Sequence, residues 1–445
     1  MFVFPKNLYT DVRVEDVFET KIVFTLGNLD EQKVRTYKAA FIRIFDGNKW
    51  YYSSTSDADG LQAAVDELAA MATPNPDITS HPIVEKLEAN SGDHTKFQQD
   101  SVAGVDITTK LELLKSLFPV MTENKTIKMW KAQYVDLNTA KEFFSSKGAK
   151  LRWDFQKAGM SLSFDMAEGE RRFSERFQKA ANFFGDLEDQ EQPCREHVEV
   201  CEEFLHNYQT LKPGKYTTIL SPEVAGVFAH ESFGHKSESD FMVGDETMKR
   251  EWAIGKKVGS DILTIIDDGS KLGSGYVPFD DEGTRTRETH LIKDGVLAGR
   301  LHSASTAAAL EEDVTGNARS VNFEFEPIVR MTTTYIESGD KTKEQLISEV
   351  DEGIYIETLK HGSGMSTFTI APSLSYFIKD GKISHPVNVA VITGNVFQTL
   401  GEIDGLSDQV ELKSFVLGGC GKMEQMPLSV AFGGPYVRVR NINAQ

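Results

Sequence analysis

Residues 126–177 read TIKMWKAQYVDLNTAKEFFSSKGAKLRWDFQKAGMSLSFDMAEGERRFSERF. Polar and apolar residues alternate in the runs IKMWKAQYV (Ile127–Val135), KLRWDF (Lys150–Phe155) and MSLSFDMA (Met160–Ala167), the period of two expected of half-buried strands. Gly148, Gly159 and Gly169 punctuate these runs as turn residues. The stretch therefore predicts an antiparallel meander.

Upstream, FIRIF and KWYYSS flank Asp46, Gly47 and Asn48, which is hairpin chemistry. Leu61, Val65 and Leu68 follow at helical spacing, and the pattern stops near Thr73 and Pro74. Residues 74–104 are polar, with three prolines and little periodicity, and read as a long connection with at most a short helix. A further helix is expected from Asp106 to Phe118, ended by Pro119.

Downstream, Val198, Cys201, Phe204 and Leu205 give Gln190–Tyr208 a helical period that Pro213 and Gly214 break. A domain boundary near residue 212 follows, dividing the chain into 1–212 and 213–445. After it, YTTIL (Tyr216–Leu220) leads into one clear helix and then a long β-rich, Gly-rich half. Strands and helices are segregated rather than alternating, so the fold class is α+β: an N-terminal α/β domain with hairpin, helices and antiparallel meander, then a C-terminal β-rich domain carrying one helix of chemical interest.

A chain of 445 residues exceeds what one core usually serves, in keeping with two domains. Its net charge of −19 and pI near 5.1 repel phosphate backbones and anionic lipid, which makes nucleic acid and membranes poor partners. Arg171, Arg172 and Arg176 form the best basic cluster, read as a solvated face. Residues 1–21 lack the apolar core of a signal peptide and no later run resembles a membrane span, so a cytoplasmic location is expected. Of three cysteines, Cys194 and Cys201 lie seven apart in the helical stretch and read as small buried hydrophobes; all three are expected as thiols.

The helix after YTTIL is well specified: Ser221 suits the N-cap, Pro222 the first helical position and Glu223 the first turn. Its end carries His230, Glu231 and, after Gly234, His235. Histidines four apart lie about 40° apart around a helix and can share a metal, whereas five apart they diverge by about 140°. HESFGH can serve one ion only if the helix is locally distorted. Gly234 could end it in the left-handed conformation, or a π-bulge could do the same.

Two histidines leave a catalytic zinc site one protein ligand short. Glu238, Asp240 and Cys420, in the Gly-rich turn GGCGK, are the candidates, and the pattern does not choose among them. Glu231 is placed to accept a proton from zinc-bound water while the metal polarises a carbonyl. Glu238 or Asp240 could instead hold the second ring nitrogen of a ligating histidine. His290, His302 and His361 could assist oxyanion stabilisation but read first as structural, and GSGMST (Gly362–Thr367) reads as a loop that either borders the cleft or simply connects.

Taken together, FIRIFDGNKWYYSSTS, HESFGHKSESD, DDEGTRTRETHLIKDGVLAGRL, TGNAR, EPIVRMTTTYI and VLGGCGKMEQMPL resemble the TldD/PmbA metallopeptidases, once called modulators of DNA gyrase, nearly end to end. The resemblance implies zinc bound by His230, His235 and Cys420, with Glu231 as catalytic base and Glu238 in a place corresponding to the family's trailing acidic residue. It implies the TldD-like, motif-bearing partner, acting on unfolded or small peptides as a homodimer or as a heterodimer with a PmbA/TldE-like subunit. Ser232, Phe233 and the stretch Lys236–Ser239 depart from TldD itself. The competing expectation is a non-catalytic, peptide-binding or regulatory subunit in which zinc is structural or absent.

Overall fold

The computed structural model describes residues 2–445. Strands β1 (Tyr9–Thr25), β2 (Asn28–Phe45), β3 (Trp50–Thr55), β4 (Ser91–His94), β5 (Ile127–Ser145), β6 (Lys150–Glu168) and β7 (Arg171–Ala181) form one sheet. The order is β3-β2-β1-β5-β6-β4, with β7 also paired to β6; only β4–β6 is parallel. The meander exists, but in longer strands than the runs suggested. Gly148 and Gly169 turn the chain at positive φ, while Gly159 sits inside β6, where a Cβ would lie 2.7 Å from Val416 Cγ2. That glycine admits a neighbouring segment and makes no turn.

The hairpin at Asp46 is present: Asp46 Oδ1 accepts from the N–H groups of Asn48 and Lys49, each at 2.8 Å. A second, longer hairpin precedes it, turning at Leu26 and Gly27, both at positive φ as a primed turn requires. The alternation that would have revealed β1 is masked by buried charge. Asp11, Arg13 and Glu15 are almost fully enclosed, each in an ion pair, with Arg43–Asp11 at 2.7 Å and Arg13–Glu15 at 2.9 Å.

Helix α1 (Leu61–Ala69) buries Leu61, Val65 and Leu68. The connection after it holds α2 (Pro82–Lys86) and also β4, a strand the polar sequence hid. Asp106 caps α3 (Ile107–Lys115), accepting from Thr108 N at 2.7 Å. Pro119 then opens α4 (Phe118–Glu123) rather than only closing its predecessor, consistent with proline's fit to a first turn. Helix α5 (Glu191–Asn207) puts Cys194 and Cys201 in the core, as free thiols.

In the second half, after β8 (Gln209–Thr210), β9 (Gly214–Leu220) lies in a ten-stranded sheet between Glu352–Ile356, parallel to it, and Val437–Ala444, antiparallel. Helix α6 (Pro222–Ala229) leaves the end of β9 and packs on Ala431–Gly434 of a six-stranded sheet. Contact there is so close that a Cβ on Gly226 would lie 2.4 Å from Gly433 N. The mixed architecture, with antiparallel pairing predominant and helices segregated from it, is α+β.

Candidate metal centre

Three features aim the end of α6. Ser221 Oγ accepts from Val224 N at 3.3 Å and donates to Glu357 O at 2.7 Å, so the cap also ties the helix to the neighbouring strand connection. Gly226 allows the close approach just described. The apolar face, Val224, Val227 and Phe228, is buried in the main core.

The chain then passes into a π turn over His230–Gly234, whose closing bond runs from His235 N to His230 O. An i→i+5 bond stacks residue i+5 over residue i, which removes the divergence an α-helix would impose on histidines five apart. The two rings stand 5.1 Å apart between centroids at 79°. Gly234 is right-handed, at φ −55 and ψ −51, so the left-handed break is not used. Its glycine is needed for space: a Cβ would come within 2.0 Å of Met331 Sδ.

Cys420 arrives from a hairpin of Cys420–Lys422 and Gln425–Leu428, preceded by Gly418 and Gly419 at positive φ. Its Sγ lies 3.5 Å from His235 Nε2, and the donor atoms of His230, His235 and Cys420 all fall within 4.8 Å of one another. Donors around a tetrahedral zinc are separated by about 3.5 Å, as bond lengths near 2.0–2.3 Å require. Small side-chain movements therefore close the set on one ion. Arg330 Nη2 donates to Cys420 O at 2.8 Å and fixes the turn from behind.

Of the acidic candidates, Glu238 serves His235: its Oε2 lies 3.2 Å from Nδ1, which leaves Nε2 free to face Cys420. Asp240 does not reach either histidine. It holds Lys422 Nζ at 2.7 and 2.8 Å, and the same ammonium lies 3.1 Å from Glu238 and donates to Val329 O at 2.8 Å. Lys422 is thus one residue of the site that the sequence alone did not single out. Its position two residues after Cys420 in a strand, hence on the same face, was the available signal.

The donor set fits a cation. Nδ1 of His230, in a residue only 4% exposed, has no hydrogen-bond partner. Burial pushes the Cys420 thiol up, but the charges and hydrogen bonds of His230 and His235 outweigh this and bring it down to about 5. Burial depresses His235, yet bonds to Cys420 and Glu238 prevail and raise it to about 10. Burial raises the Glu231 carboxyl above its ordinary value, with His230 and His235 opposing. Without a metal the site favours a thiolate–imidazolium pair, the charge pattern a divalent ion would replace.

His230, Glu231 and Cys420 line a cavity of about 240 Å³, together with Arg176, His361 and Gly362. Arg176 is therefore not simply solvated: its guanidinium lies over the Phe415 ring at 4.9 Å. Residues 362–364 end the strand Leu359–Gly364, with Gly362 on the cavity wall, and Met365 and Ser366 make the turn into the next strand; a Cβ on Gly364 would approach Glu231 O to 2.7 Å. His302 is structural, lying 2.9 Å from Glu312, and His290 sits in a strand.

The description PmbA/TldA metallopeptidase C-terminal domain matches residues 213–445, more than half of the chain, and PmbA/TldA metallopeptidase domain 1 matches residues 10–72. The chain belongs to the TldD/PmbA metallopeptidase family. The "Zinc metalloprotease TldD homolog" of Saccharolobus solfataricus is 30% identical over 74% of this TldD/PmbA chain and 74% of its own length. A solved Thermotoga maritima protein described as a modulator of a DNA gyrase shares the fold, with TM-score 0.78, 18% identity and coverage of 98% and 96% of the two chains. TldE from Thermococcus kodakarensis is similar at TM-score 0.75 and 16% identity, covering 98% and 96%. No helix among the described residues of this TldD/PmbA metallopeptidase is long and apolar enough to cross a membrane.

Proposed function

We propose that this metallopeptidase binds one zinc ion through His230, His235 and Cys420 and hydrolyses peptide bonds in unfolded or small peptides with Glu231 as general base. The observation that carries the reading is the π turn, which brings histidines five apart within 4.8 Å of a distant cysteine and places Glu231 on the same cavity. The donor chemistry, two imidazoles and one thiolate, suits zinc, and three protein ligands are the number a catalytic site uses.

A zinc ion held here supplies Lewis acidity to a water and to the scissile carbonyl. Glu231 accepts the proton of the attacking water and returns it to the departing amine. Glu238 fixes the orientation and tautomer of His235, and Lys422, held by Asp240, offsets the charge of Glu238. The strand Leu359–Gly364, an edge of the ten-stranded sheet and part of the cavity wall, offers backbone groups to an extended peptide.

The span of the C-terminal family match supports a division of the chain at residue 212. The working assembly in this reading is a dimer, either of this chain or with a TldE-like subunit. A cytoplasmic location completes the reading. The test is Glu231→Gln, which should keep zinc at the wild-type ratio and lose cleavage of an unstructured fluorogenic peptide. Full activity in that variant would refute the base assignment.

A further inference from the structure

Beside the metal cavity lies a larger one, of about 420 Å³, and Ser429 borders both. Ser429 follows Leu428, the residue paired with Cys420 across the hairpin, so it marks the passage between them. Two cations of the larger cavity converge on it. Lys157 Nζ donates to Ser429 Oγ at 2.8 Å, and Arg319 Nη2 donates to Ser429 O at 2.7 Å.

Neither cation has a carboxylate within 4 Å among the described residues, and Arg319 is only 6% exposed. The acids in the same cavity are already engaged. Asp281 lies 2.6 Å from Lys141 and 3.6 Å from Arg13, Glu15 lies 2.9 Å from Arg13, and Glu19 lies 2.7 Å from Arg35. Glu424 is exposed on the rim.

Burial holds the Lys157 amine down at about 8 with no charge to oppose it. Burial and then the charge of Arg330 work against ionised Arg319, and only Asp281, Asp267 and Cys420, none of them in a close ion pair with it, oppose them. Burying a cation without a counter-ion is costly, and an incoming anion removes that cost while gaining charge-assisted hydrogen bonds.

We propose that Lys157 and Arg319 form a carboxylate-binding subsite next to the metal centre, selecting peptide substrates that carry an acidic side chain or a free C-terminus near the scissile bond. This rests on the peptidase reading and adds the substrate's charge to it. The carboxylate accepts from both cations beside Ser429, so the peptide chain lies across the passage from the larger cavity to the metal.

Four fluorogenic peptides of one length decide the matter: Glu or Gln at one internal position, each with a C-terminal carboxylate or amide. Wild-type protein should prefer at least one carboxylate form over its amide isostere by on the order of tenfold, mainly in KM. The internal pair and the terminal pair distinguish the two sources. Lys157→Met should bring the ratio close to one, and Lys157→Arg should retain it. Fluorescence anisotropy with Glu231→Gln protein reads the same preference in binding, whether or not cleavage occurs. If wild-type protein cleaves none of the peptides while the anisotropy preference holds, the peptidase reading fails and the subsite stands. Equal binding of carboxylate and amide forms, or a preference that survives Lys157→Met, overturns the proposal.

Discussion

Oε2 of Glu238, a carboxylate with no solvent exposure, lies 3.2 Å from Nδ1 of His235. A buried carboxylate on the far nitrogen of an imidazole sets which nitrogen keeps its lone pair and which way the ring faces. Glu238→Ala should therefore weaken zinc binding by roughly 10–100-fold. Competition against a chromophoric chelator measures this, and unchanged affinity would show that His235 is oriented by something else.

Gly234 is placed by space rather than by backbone freedom, since a methyl group there would meet Met331 Sδ at 2.0 Å. Gly234→Ala should destabilise by about 1–3 kcal/mol through overpacking and disturb the π turn that aligns the histidines. Chemical denaturation and zinc content should fall together, and shortening Met331 in the same chain should restore both. A Gly234→Ala protein with wild-type stability and zinc would contradict this packing role.

This pair of residues also shows how much was legible beforehand. The motif His230–His235, the N-cap Ser221 and the break in helical geometry follow from local chemistry, and the π turn is one of two distortions that five-residue spacing allows. The grouping of Cys420, rather than Glu238 or Asp240, with the two histidines was not local, because it depends on a hairpin 185 residues away. Lys422 and the cavity-facing Arg176 were missed because charged residues normally read as solvated faces. Strand β1 was hidden for the same reason, since Asp11, Arg13 and Glu15 are buried together.

Cys420 should differ from the other two thiols. With its thiol near 5, metal-free protein carries it as a thiolate throughout pH 6–8, whereas burial pushes Cys194 up to about 12 and raises Cys201 as well. Iodoacetamide should alkylate Cys420 alone, at a rate nearly flat across that range, and zinc should protect it. A rate rising about tenfold per pH unit, as for a thiol near 8.5, would contradict the assigned environment.

Burial alone would raise Asp281, but Arg13 and Lys141 outweigh it and hold the carboxyl well below its ordinary value. A depressed carboxylate pKa contributes stability in full above the unfolded value of about 3.9, and loses it as pH falls toward the folded value. Asp281→Asn should destabilise by about 3–5 kcal/mol at pH 7, because it leaves buried cations less compensated. Urea unfolding at pH 7 and pH 3 should show the gap from wild type narrowing at the lower pH. An equal gap at both would count against the ion pair as its source.

The assignment of three ligands from two distant segments is tested most directly by metal stoichiometry. Mass spectrometry of inorganic elements on dialysed protein should find about one zinc per chain in the wild type and in Glu231→Gln, and far less in Cys420→Ser, as expected when one of three protein ligands is lost. Equimolar zinc retained by Cys420→Ser, or none in the wild type, would contradict the centre described here.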